Sequence, residues 1–134
     1  MLKKIDHISI AVEDLEEEIK RYRDILGLEW IGTETVEEQK VRVAFFKIGD
    51  AHIELAAPTA EDSPISKFLK KRGSGIHHIA LETDDIRSEL SKLEDKGIRL
   101  IDKKPRHGAH DSLIAFAHPK SFSGVLLELT EKGN

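Results

Sequence analysis

HISIAVEDL, residues 7–15, is restated as HIALETDDI at residues 78–86. The match runs at a constant offset of 71 residues: Ile8 answers to Ile79, Ile10 to Leu81, Asp14 to Asp85, Leu15 to Ile86, Ile19 to Leu90 and Tyr22 to Leu93. Each copy alternates apolar and polar residues, then shifts to helical spacing, which reads as a strand followed by a helix. Each half also ends in a strand-like segment with one glutamate between apolar residues, Ile53-Glu54-Leu55 and Leu127-Glu128-Leu129. A repeat of this length decides the architecture before any local motif does.

Working outward, residues 5–12 form a half-buried strand with Ile8, Ile10 and Val12 on one face and His7, Ser9 and Ala11 on the other. Asp14 caps a helix whose apolar stripe is Leu15, Ile19, Tyr22 and Leu26, and Gly27 closes it. Strands follow over 29–36, 41–48 and 51–57, the last two joined by a tight turn at Gly49-Asp50. The linker, 58–75, holds a short helix opened by Pro64 with Ile65, Phe68 and Leu69 on its apolar face, and ends in Gly73-Ser74-Gly75. The second half repeats the order: strand 76–82, helix 85–95 capped by Asp85 and closed by Gly97, then strands 98–101, 112–117 and 124–130. A polar loop from Asp102 to Asp111 interrupts it, and long loops in small domains often serve function. The expected fold is α+β: two tandem βαβββ modules, about 1–57 and 76–134, forming one curled mixed-sheet cleft in a single domain of 1–134.

Strand phase selects the candidate site. Side chains alternate faces along a strand, so with Ile8 and Ile10 turned to the helix, His7 points the other way. Ile79 and Leu81 do the same for His78, whereas His77 shares their apolar face. Ile53 and Leu55 leave Glu54 on the open side, and Leu127 and Leu129 leave Glu128 there. A single histidine on a strand, or a single glutamate between apolar neighbours, is ordinarily structural. Two of each, in equivalent positions and one phase, point to a divalent cation held by His7, Glu54, His78 and Glu128. Two imidazoles and two carboxylates without a thiolate suit Co²⁺, Mn²⁺, Ni²⁺, Fe²⁺ or Zn²⁺. On an octahedral ion they leave two positions, enough to chelate a 1,3-dicarbonyl and stabilise its enolate. His52 shares a face with Glu54, His107 and His110 lie in the polar loop, and His118 precedes Pro119 in a turn.

Bulk composition narrows the partners. The 134 residues carry a formal net charge of -4 and no cysteine. There is no basic field for nucleic acid and no thiol for catalysis or disulfides. No apolar run approaches the ~20 residues of a membrane helix, and Met1 leads directly into a strand, so the expectation is a soluble cytoplasmic protein.

The tandem pattern with these four positions resembles the vicinal oxygen chelate superfamily. Within it IDHISIAV, EEQKVRVAF, EDSPISKFL, GIHHIAL, GAH and HPKSFSGVLLEL resemble the methylmalonyl-CoA epimerases over essentially the whole chain. The resemblance implies interconversion of (2R)- and (2S)-methylmalonyl-CoA through a metal-chelated enolate. It also implies a homodimer, with ligands falling on His7, Glu54, His78 and Glu128. The second ligand is often glutamine in that family; Glu54 adds negative charge. Some bacterial members place a glutamate base at the position of Val43, and valine cannot move a proton. Glu128 then serves as base on one face, with His110 the candidate for the other. Arg106 and Lys120 are candidates for the coenzyme A phosphates. A glyoxalase I-type lactoylglutathione lyase is the alternative enzyme, and a non-catalytic small-molecule-binding member of the same fold the alternative outside catalysis.

Overall fold

The computed structural model describes residues 1–133. Its contacts divide the chain into two compact units, His7–His77 and a second made of Met1–Asp6 with His78–Asn134. In the first unit, strands β1 (Leu2–Ala11, from His7 onward), β2 (Glu29–Val36), β3 (Val41–Ile48) and β4 (Ala51–Pro58) lie in the order β2-β3-β4-β1. Strand β1 runs parallel to β4, and the other pairs are antiparallel. Helix α1 (Leu15–Lys20) is capped by Asp14, whose carboxylate accepts from the Glu17 amide at 3.1 Å. Its apolar residues Leu15 and Ile19 pack with Val12, Ala44, Phe46, Leu55 and Ala57, joined by Ile10, Tyr22, Leu28 and Ile53. Burying side chains such as Phe46 and Leu55 contributes roughly 1.5–3 kcal/mol each.

The helix does not continue as expected. Over Arg21–Ile25 it widens to a π turn, with the Leu26 amide bonding the Arg21 carbonyl at 3.1 Å. The extra residue rotates Leu26 off the apolar stripe, so Leu26 is exposed and Leu28 joins the core instead. Helix α2 (Pro64–Arg72) opens at Ser63, whose hydroxyl accepts from the Ile65 amide at 3.2 Å, and ends at Gly73 with φ 76°.

The second unit holds β5 (Gly75–Thr83, from His78 onward), α3 (Ile86–Asp95), β6 (Arg106–His107), β7 (Leu113–Ala117) and β8 (Leu127–Glu131), in the order β5-β8-β7-β6. Asp85 caps α3 through the Ser88 amide at 3.1 Å. Ile86 and Leu90 pack on Ala115 and Leu129. Residues 1–6 are tied here by Met1 N to the Glu89 carboxylate, 2.9 Å, and by Lys132 to Asp6, 2.8 Å. The strand expected at 98–101 reduces to a single bridge between Leu100 and Ala117. The Ile101 and Asp102 amides both go to the Phe116 carbonyl, which leaves no ladder to extend. The module's second strand lies instead inside the polar loop, as Arg106–His107 paired with Leu113 and Ile114. Among the described residues no helix is long and apolar enough to cross a membrane.

Candidate functional site

Register places the site residues. In the first unit Ser9 stands beside Glu54, and Glu54 beside Phe45, so His7, Ser9, Glu54 and Phe45 share the face away from α1. His52 pairs in register with His7 on that same face. The His7 Nδ1 lies 3.1 Å from Glu54 Oε2, with the imidazole 8% and the carboxylate 14% exposed. In the second unit Ala80 stands beside Glu128 and Glu128 beside Phe116. The His78 Nε2 lies 3.1 Å from Glu128 Oε1, both side chains buried, and the Phe116 ring packs edge-on against the His78 ring at 5.1 Å. Each half thus closes one imidazole–carboxylate pair, buried in the second unit and partly buried at Glu54 in the first, on the face that strand phase assigns.

His77 confirms the phase from the other side. Its ring meets Phe68 of α2 edge-on at 5.0 Å, away from the acidic partner of its neighbour. His110 sits exposed in a tight turn with φ 53°, a left-handed backbone uncommon for a non-glycine residue. His118 accepts from the Lys120 amide at 3.1 Å as the cap of a turn over Pro119–Phe122. Partial burial, then Arg99 and Lys120, lower its imidazole pKa. Arg106 lies over the Phe116 ring at 5.5 Å, its guanidinium 3.4 Å from Asp102.

The donor set suits a divalent cation. Two ligands about 2.1 Å from one ion and roughly at right angles to each other are about 3 Å apart. The measured 3.1 Å between imidazole nitrogen and carboxylate oxygen in each pair is that edge length. The donors are nitrogen and oxygen only, and they are buried, where an unpaired carboxylate is costly.

The Glyoxalase/Bleomycin resistance protein/Dioxygenase superfamily profile matches residues 6–116. This chain belongs to that superfamily. The mitochondrial methylmalonyl-CoA epimerase of Dictyostelium discoideum is 41% identical to it over 96% of this chain and 78% of that protein. The ethylmalonyl-CoA/methylmalonyl-CoA epimerase of Cereibacter sphaeroides is 38% identical over 98% of this chain and 99% of that one. A solved methylmalonyl-CoA epimerase in complex with methylmalonyl-CoA and NH4+ superposes with a TM-score of 0.96 at 42% identity, covering 99% of this chain and 96% of that one. The chain therefore has their glyoxalase-type fold and sits among the epimerases of the superfamily, as the sequence resemblance implies.

Sequence reasoning passed over Phe45 and Phe116, which flank the two glutamates and stand at the same offset of 71 residues. It also passed over Glu34, on the same sheet face as His7 and Glu54.

Proposed function

We propose that the protein epimerises methylmalonyl-CoA at C2 and that His7, Glu54, His78 and Glu128 hold one divalent cation for this reaction. Co²⁺ is the favoured ion, with Mn²⁺, Ni²⁺ and Zn²⁺ also suited to the donors. The observation that carries the reading is the duplicated buried imidazole–carboxylate pair, 3.1 Å in both halves, in a chain related throughout its length to epimerases. A cation held there supplies Lewis acidity to the thioester and carboxylate oxygens of the substrate. The side chains do the rest. His7 and His78 would be donors oriented by their glutamates, and the buried phenylalanines beside the glutamates screen the pairs from water. Glu128 takes the C2 proton on one face of the acyl group, and a second group returns a proton to the other face; His110 is the sequence candidate. Arg106 offers a cation to the acid or phosphate groups of the substrate. The protein works in the cytoplasm as a homodimer.

The deciding experiment incubates each methylmalonyl-CoA epimer with the enzyme in D₂O, before and after chelation and metal add-back. Deuterium at C2 together with inversion, both lost on chelation and restored by Co²⁺, is the expected result. Inversion indifferent to exhaustive chelation removes the metal from the reading, and no exchange by the metal-replete enzyme removes the substrate.

A further inference from the structure

We propose that Glu34, on β2, is the second proton-transfer group; this rests on the epimerase reading. Across the first unit, Ala11, Ala56, Val43 and Glu34 are successive register partners, one on each of β1, β4, β3 and β2. The adjacent row on the same face is Ser9, Glu54, Phe45 and Gly32. Glu34 is therefore two strands across and two residues along from Glu54, about 12 Å between Cα atoms at ordinary sheet spacings. The Glu54 side chain, the ion it would hold and a four-carbon acyl group on that ion bridge such a span to the Glu34 carboxylate. The floor between them is low and dry, because Ala11, Ala56 and Val43 are small or medium apolar residues and all are buried. Glu34 itself is half-buried.

A second observation concerns how Glu34 comes to this face. Trp30 pairs with Phe46, a residue of the α1-facing core. In an unbroken strand Trp30 and Glu34, four residues apart, point the same way. The register slips between Trp30 and Gly32, and this bulge carries Glu34 to the side of His7 and Glu54. Bulges of this kind re-aim side chains beside active sites.

The step balances as a two-base exchange. One carboxylate accepts the C2 proton; the C–H electron pair moves into the thioester as an enolate. The other group, protonated at the outset, gives its proton to C2 from the opposite side, and the carbonyl is restored. The two acids end in exchanged protonation states and reset through solvent.

The test is Glu34→Gln, with His110→Ala as the rival arm and thermal melting and bound-metal content as controls. Glu34→Gln should fold and keep its metal, yet interconvert the epimers at least ~100-fold more slowly, while one epimer still exchanges its C2 proton with D₂O. Near wild-type inversion in Glu34→Gln overturns the assignment. So does the same split appearing in His110→Ala instead, or equal loss of exchange from both epimers in Glu34→Gln, which marks a binding role. Failure of the wild-type protein to exchange either epimer is a different result and refutes the epimerase reading itself.

Discussion

The two halves carry the same row of side chains at their centre and different ones beside it. Ser9, Glu54 and Phe45 in the first match Ala80, Glu128 and Phe116 in the second, each with a histidine closing on the glutamate at 3.1 Å. One row further on, Ala11, Ala56, Val43 and Glu34 have Glu82, Thr130, Ile114 and Arg106 as their counterparts in the other half. The outermost position is an acid in one half and a guanidinium in the other. The central row is thus alike in the two halves and the flanking row is not; on the reading proposed above, the acid would move a proton and the guanidinium would bind an anion.

The most severe way to break the comparison is to remove one histidine at a time. His7→Ala and His78→Ala should each strip bound metal by at least ~100-fold in affinity and abolish turnover, whereas His77→Ala keeps its metal; metal analysis of the purified variants decides it. Metal retained by either ligand variant would make the halves unequal. Chelation comes next. An ion present at about 1,000 times its dissociation constant stabilises the native state by about 4 kcal/mol, so exhaustive chelation should lower the melting temperature by on the order of 10 °C. An unchanged melting curve would separate the pairs from any cation. Specialisation of the outer row is tested by Arg106→Met. It should raise KM for the acyl-CoA roughly tenfold, worth about 1.4 kcal/mol, with kcat little changed. A fall in kcat alone would assign Arg106 to chemistry and erase the contrast with Glu34.

The smallest effect concerns a clasp in the first half. The Lys40 ammonium, by its hydrogen bond and then its charge, holds the Asp62 carboxyl below its ordinary value of 3.8. A lowered carboxylate contributes stability above its unfolded pKa and loses it as pH falls through the folded value. Asp62→Asn should therefore flatten the acid side of the melting profile below about pH 4, by about 1 °C or less because both groups are exposed. A deficit that persisted undiminished in acid would assign the loss to something other than this pair.

Most of the framework was legible because local signals agreed with one another. Asp14 and Asp85 announce two helices, and the strands expected at 29–36 and 41–48 have the bounds the structure has. Phase puts His78 rather than His77 on the side of Glu128 because the flanking isoleucine and leucine leave one answer, and the structure pairs His78 with Glu128 and His77 with Phe68. What failed was set by tertiary context. Leu26 obeys helical spacing, but the π turn before it answers to packing around Tyr22 and Leu28, which no periodicity encodes. Residues 98–101 look like a strand, yet the Phe116 carbonyl takes two of their amides and Arg106–His107 takes the edge of β7. Glu34 was missed because a strict alternation puts it on the side of Trp30. The one available clue was Gly32, since glycine inside a strand often marks a bulge.

That bulge has a consequence for how the chain can change. Which side of the sheet Glu34 serves is set jointly by the bulge and by the number of residues between it and Trp30. Deleting exposed Ile31 would leave the two three residues apart, which a regular strand places on opposite sides, so each would keep its present side without the bulge. A single codon lost from this strand therefore straightens it and leaves the carboxylate where it is.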